Sequence, residues 1–350
     1  VIPLYLQNLI SVKSTSSSQK TSLFLDTSAE VNMGLPRPPY DAELGAALAQ
    51  MPSPVITKEI LLEIRKGVSE MYSAETALAG KPLIHEEKTI SGPNGDIILS
   101  IFRPKTSPTS KRAGIYQIHG GGMVVGNRFL GMQGVLDWVE ALDAVCVSVE
   151  YRLAPENPDP APIEDVYAGL LWVGENLGTL GIDPEKLIIS GQSAGGGLAA
   201  GLALLVRDRG GPSIRAQCLV YPMLDDRTET VSSQQFDDSG IWRRDTNITA
   251  WSFLLGEQAK GKNVSIYAAP GRATDLSGLP STFIDVSSTE VFRDECVAYA
   301  SRLWATGIQA ELHVWPGAFH GFDQLAPSAV ISQAASRARL DWLRRILSSA

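Results

Sequence analysis

The sequence predicts an α/β fold: a mostly parallel, doubly wound sheet with helices on both faces. Three observations carry this expectation. From about residue 84 onward, short apolar runs alternate with stretches of helical periodicity. Two of those runs lead directly into glycine-rich turns, one beginning at His119 and the other at Gly191. The length, 350 residues, suits one large domain plus an appended element.

The elements follow in order. Residues 11–21 are rich in Ser, Thr and Lys and read as a mobile surface segment. Residues 40–79 are helical in character, with Leu61, Leu62, Ile64 and Val68 at helical spacing behind Thr57-Lys58-Glu59-Ile60, and Pro52 and Pro54 break the chain before them. The turn Gly92-Pro93-Asn94-Gly95 introduces a strand over 97–102. Strands are then predicted at 114–118, 144–150, 186–190, 216–221, 282–286 and 310–314. Helices are predicted at 132–142, 163–177 (opened by Pro162), 194–207, 293–306 and 328–347.

The alternation breaks between Asp225 and Leu279. That stretch is polar, with one amphipathic piece at Thr249-Ala250-Trp251-Ser252-Phe253-Leu254-Leu255. Together with the helical N-terminal part, it suits a helical cap over the carboxyl edge of the sheet. The expected organisation is residues 1–80 as a segment contributing to the cap, 81–224 and 276–350 as the catalytic domain, and 225–275 as the cap insertion. Trp242, Trp251 and Phe253 are candidate pocket walls, although most of them are expected to form the cap's own core with Leu254 and Leu255, and residues 40–79 to shape one side of the pocket.

Composition excludes several classes. The net charge of -8 argues against a nucleic-acid-binding surface. No apolar run reaches the length of a membrane span. Residues 1–10 are apolar but have no basic leader or small-residue cleavage site, so they do not read as a signal peptide. The three cysteines, Cys146, Cys218 and Cys296, are too few and too odd for a disulfide framework and fit a reducing, cytoplasmic location. Two sequons, at Asn247 and Asn263, are triplets common by chance.

The chemistry concentrates in Gly191-Gln192-Ser193-Ala194-Gly195, between the apolar run Leu187-Ile188-Ile189 and a small-residue run. A strand that turns sharply into a helix strains the turn residue and crowds its neighbours. Flanking glycines relieve the crowding and expose a serine at the top of the strand, which makes Ser193 the candidate nucleophile. About 70 residues earlier, His119-Gly120-Gly121-Gly122-Met123 follows its own strand. Its glycines let backbone N–H groups approach a developing oxyanion. Each motif sharpens the other.

The candidate base follows by elimination among four histidines. His119 belongs to the glycine loop, His85 precedes the predicted sheet, and His313 sits inside a strand. His320 lies in a loop after the last strand, where such a base belongs. The acid should follow the strand 282–286. Asp285 lies within that strand and Asp294 opens a helix, where an acid usually caps N–H groups. Glu290, in the intervening loop, is favoured, with Asp294 next.

The motifs His119-Gly120-Gly121-Gly122, Tyr151-Arg152-Leu153-Ala154-Pro155-Glu156, Gly191-Gln192-Ser193-Ala194-Gly195-Gly196, Arg293-Asp294-Glu295 and His320-Gly321-Phe322 stand in the order of the hormone-sensitive-lipase-like esterases, which the sequence resembles over about residues 80–348. The resemblance implies the α/β-hydrolase fold with a cap, a carboxylic ester hydrolase of small-molecule substrates, and no metal or organic cofactor. It implies oxyanion donors at Gly121, Gly122 and Ala194, and a homodimer among the expected partners. Two positions depart from the family: Glu290 stands where Asp is usual, and Met123 where an aromatic residue is common. The Tyr151 to Glu156 segment is expected to brace the oxyanion loop. A lactonase or transacylase would use the same triad. A ligand receptor of this fold lacks the histidine and a dehydratase variant replaces the serine, so His320 and Ser193 together argue against both.

Overall fold

The computed structural model describes residues 35–51, 56–106 and 110–348. The expectations for residues 1–10 and 11–21, and the breaks at Pro52 and Pro54, lie outside these described residues. Three helices come first: α1 (Ala42–Leu48), α2 (Leu61–Met71) and α3 (Ala74–Leu78). Asp41 caps α1 by accepting hydrogen bonds from the backbone N–H groups of Glu43 and Leu44. The sheet then begins with β1 (Leu83–Gly92), β2 (Gly95–Pro104) and β3 (Arg112–Ile118). There follow α4 (Met132–Leu142), β4 (Val145–Glu150), α5 (Ala161–Glu175), α6 (Leu177–Leu180) and β5 (Ile182–Gln192). Next are α7 (Ala194–Arg209), β6 (Ala216–Val220), α8 (Val231–Gln235) and α9 (Arg244–Leu255). The chain closes with β7 (Ser281–Ser287), α10 (Arg293–Ala305), β8 (Ala310–Trp315), α11 (Phe322–Leu325) and α12 (Val330–Ser348).

The eight strands form one sheet in the order β1-β2-β4-β3-β5-β6-β7-β8. The pairings β1–β2 and β2–β4 are antiparallel, and every later pairing is parallel. Strand β3 is buried at every residue, as are the last six residues of β5. Parallel strands covered on both faces need apolar side chains on both, which is why these runs read as continuous rather than alternating. The small-residue helix α7 is buried along most of its length against the sheet.

One placement differs from the sequence reading. His85 does not precede the sheet: it lies in β1, paired opposite Phe102 of β2. Its Nε2 is 2.9 Å from Ser100 Oγ and its ring stacks on Phe102 at 4.8 Å. Strand β1 is an edge strand whose middle is exposed, so its sequence is polar and carries no apolar run to announce it.

The strand order reverses beside β3, whose neighbours are β4 on one side and β5 on the other. In an open α/β sheet that switch leaves a crevice outside the carboxyl ends of the strands. The loops leaving β3, β5, β7 and β8 open on this edge, and they carry Gly121, Ser193, Glu290 and His320 respectively. The residues between β6 and β7 pack over it: Trp242 and Ala250 both lie against Gly122. The N-terminal part joins them. Arg37 pairs with Asp238 at 3.0 Å, Tyr40 and Ser239 hydroxyls are 3.0 Å apart, and the Asp41 N–H donates to the Gly317 carbonyl at 2.9 Å.

Candidate active site

Ser193 stands between β5 and α7 with φ 56° and ψ -123°, a backbone conformation L-residues rarely adopt. Three backbone hydrogen bonds hold it there. Its N–H donates to Val220, and its carbonyl accepts from Gly197 and Met223, all within 3.0 Å. The turn leaves no room for neighbouring side chains. A Cβ on Gly191 would sit 2.1 Å from the Gly195 carbonyl oxygen, and one on Gly195 would sit 2.2 Å from that of Ile118. The motif glycines are therefore a steric requirement of the turn that presents the serine.

His320 Nε2 lies 2.9 Å from Ser193 Oγ, and its Nδ1 lies 2.9 Å from Glu290 Oε1. The partners assign the tautomer. A carboxylate only accepts, so Nδ1–H donates to Glu290, and Nε2 is left to accept the serine hydroxyl. Glu290 is buried, and its second oxygen accepts the Ser287 backbone N–H at 3.0 Å. That bond turns the carboxylate back toward the strand end and fixes which oxygen meets the imidazole.

The other two carboxylates are engaged elsewhere. Asp294 Oδ2 accepts the Ser232 N–H at 2.7 Å, and its Oδ1 pairs with Arg293. Asp285 accepts from Trp315 Nε1 at 3.0 Å and from Arg339 Nε at 2.7 Å. Of the three candidates, Glu290 is the one the fold brings to His320. Phe292 and Tyr221 meet the imidazole edge-on, with ring centroids 5.1 and 4.7 Å away. Aromatic rings thus pack edge-on against both flanks of the histidine.

The glycine loop wraps the same space. Gly121 and Gly122 have φ of 106° and 63°, and the loop turns back so tightly that the Gly121 carbonyl accepts from both Val124 and Val125. His119 is buried and stacks on Tyr151 at 4.1 Å. Its Nδ1 is 2.8 Å from the Gly120 carbonyl, which only accepts, so Nδ1 carries the proton. Burial also pulls its pKa down.

The segment from Tyr151 to Glu156 does brace this loop. Tyr151 donates its hydroxyl proton to the His119 carbonyl at 2.9 Å, and the Ala154 N–H donates to Met123 at 2.9 Å. Arg65 of α2 adds a tie that the sequence did not suggest. Its guanidinium donates to the Val124 and Ala154 carbonyls and forms a fork with Glu156. Met123, expected as a flexible wall, is fully buried with φ 61°.

Of the three residues weighed between pocket wall and cap core, Trp242 lies near the site. Its ring centroid is 6.5 Å from that of His320, and its six-membered ring abuts Gly122. Trp251 is buried as expected. Asn247 of the first sequon is buried, and its side chain is bonded to Trp242 and Thr228. All three cysteines are free and buried. Among the described residues, no helix is long and apolar enough to cross a membrane, and no group of three His, Cys, Asp or Glu side chains is placed to hold a metal ion.

A serine, histidine and carboxylate joined by hydrogen bonds at the carboxyl edge of such a sheet define the α/β-hydrolase class. A family profile described as alpha/beta hydrolase fold matches residues 115–324. The chain is 36% identical over 266 residues to carboxylesterase NlhH of Mycobacterium tuberculosis, covering 75% of this chain and 82% of that one. It is 29% identical over 313 residues to arylacetamide deacetylase of Bos taurus, covering 72% and 78%. Among solved structures, a bacterial heroin esterase superposes with a TM-score of 0.82 at 37% identity, covering 88% of this chain and 98% of that one. Esterase LipW from Mycobacterium marinum does so with a TM-score of 0.80 at 32% identity, covering 89% and 98%. The chain belongs to the hormone-sensitive-lipase-like carboxylesterases of the α/β-hydrolase family.

Proposed function

We propose that the protein hydrolyses carboxylic esters through an acyl-enzyme on Ser193. The observation that carries this reading is the hydrogen-bonded chain from Ser193 through His320 to Glu290. His320 Nε2 takes the hydroxyl proton as Oγ attacks the carbonyl carbon. Glu290 stabilises the imidazolium that forms and keeps its ring in place. The N–H groups of Gly121, Gly122 and Ala194 receive the oxyanion. The first two lie on a loop held from behind by His119, Tyr151 and Arg65, and the third opens α7, where the helix dipole favours negative charge. Imidazolium then protonates the departing alkoxide, and water repeats the sequence on the acyl-enzyme. In this reading the described part of residues 1–80 contributes, with the insertion 225–275, to a cap over a catalytic domain within 81–224 and 276–350.

Labelling tests the nucleophile. An alkyl fluorophosphonate is expected to abolish hydrolysis of a 4-nitrophenyl short-chain ester in proportion to a single adduct on the Ser193 peptide, read by mass spectrometry. Full activity in fully labelled protein, or an adduct elsewhere, overturns the proposal. The acid is tested by comparing two variants. Glu290→Ala is expected to lower kcat by about 10⁴-fold, the scale seen when a triad acid is lost. Asp294→Ala, whose carboxylate serves Ser232 and Arg293, should retain most of the rate. The reverse pattern would move the role to Asp294.

A further inference from the structure

Building on the ester-hydrolase reading, we infer that Trp242 limits the size of the alcohol portion of the ester. Phe292 and Tyr221 are fully buried against the His320 imidazole and belong to the protein interior. Trp242, from the polar stretch that packs over the strand ends, is a further aromatic neighbour, and it retains 8% exposure. It also meets the glycine loop: a Cβ built on Gly122 would lie 2.3 Å from Trp242 Cη2 and 2.8 Å from Cζ2. The indole therefore spans from the imidazole to the loop.

The reaction orients the ester relative to that span. The carbonyl oxygen must face the glycine loop, and the alkoxy oxygen must come within reach of His320 Nε2 to take its proton. The acyl chain leaves on the remaining side. A wall touching both the imidazole and the loop consequently stands over the alkoxy group.

The wall is also fixed in place. Trp242 Nε1–H donates to Asn247 Oδ1 at 3.1 Å, and Asn247 Nδ2 donates to Thr228 Oγ1 at 3.4 Å. All three residues are buried, and Ala250 of α9 packs on the same side of Gly122. Rotating the indole away would leave buried polar atoms unpaired, so it does not yield to a larger group. The class of substrate this fits is an ester of a small, apolar alcohol.

Two ester series test the inference in the full-length protein, with rates normalised to sites labelled by a fluorophosphonate. One holds the acyl group at acetyl and enlarges the alcohol from methyl to butyl to naphthylmethyl. The other holds the alcohol at 4-nitrophenyl and lengthens the acyl chain. Trp242→Ala is expected to raise kcat/KM for the naphthylmethyl ester relative to the methyl ester by about tenfold or more, the scale set by added space in an apolar pocket. The acyl-chain preference should stay within about threefold. A shift confined to the acyl series, or no shift in either, overturns the inference. If Trp242→Ala does not fold, Trp242→Phe decides: a smaller shift in the same direction supports the wall, and an unchanged alcohol preference overturns it. Failure of the ester-hydrolase reading looks different, because the unaltered protein would then hydrolyse neither series.

Discussion

Replacing Ser193 with alanine is expected to lower kcat for a short-chain aryl ester by about 10⁴- to 10⁶-fold, the range for removal of a triad nucleophile. The remaining rate above that of water comes from binding and the oxyanion donors, which the substitution leaves in place. Substrate affinity should change little, because Oγ contributes to attack rather than to ground-state binding. Steady-state hydrolysis and equilibrium titration with a non-hydrolysed ester analogue check both parts. An intact rate in Ser193→Ala would refute the acyl-enzyme. Stability provides a second readout at the same position. Alanine retains the left-handed strain at φ 56°, whereas glycine relieves it. Ser193→Gly should therefore be more stable than Ser193→Ala by about 1 kcal/mol in urea unfolding, a sign that the turn is held in strain to present the side chain.

Replacing Arg339 with methionine is expected to destabilise the fold by about 3–5 kcal/mol, the cost of leaving buried charges without their partner. Arg339 projects from α12 into the interior and is fully buried. Its guanidinium pairs with Asp285 of β7 at 2.7 Å and with Asp323 of α11. Burial alone would push its pKa down, but Asp285 and Asp323 outweigh it and hold the pKa well above the ordinary value. Burial pushes the Asp285 carboxyl up despite Arg339. The pair is thus an expensive arrangement that is tolerable only when complete. Exchanging Asp285 and Asp323 for asparagine in the Arg339→Met background should recover part of the loss, since it removes the stranded charges. A loss below about 1 kcal/mol in the single variant would show that water reaches the pair.

The same network approaches the active site. Asp323 accepts the Tyr221 hydroxyl proton at 2.9 Å, and the Tyr221 ring meets the His320 imidazole. Tyr221 itself has φ 36°, held by its N–H donating to the Asp285 carbonyl at 2.7 Å. The last helix of the chain thus reaches the imidazole through two side chains. Nothing in the local sequence around Arg339 advertises this, because an arginine on an amphipathic helix usually faces water.

Local chemistry made much of the site legible. Gly191 and Gly195 are required by a turn that five consecutive residues define, so the pentapeptide reports its own geometry. The glycine loop is a similar case, since His119 closes on the carbonyl of the adjacent residue. The strand that carries His85 is not legible for an equally physical reason: an exposed edge strand has no apolar periodicity to read.

The sequence by itself determined the fold class and singled out Ser193, His320 and the glycine loop as candidates, because each follows from residue types at the end of an apolar run. It favoured Glu290, in the loop after the strand, over Asp294, four residues further on at the start of a helix. Tertiary structure brings Glu290 against His320, with its other oxygen on the Ser287 N–H, while Asp294 is bonded to Ser232 and Arg293. It also decided that Trp242 meets the imidazole and that Arg339 reaches inward. These contacts join residues far apart in the chain, and they depend on sheet order and on how the residues between β6 and β7 fold back over the strand ends. Spacing along the sequence carries no record of either.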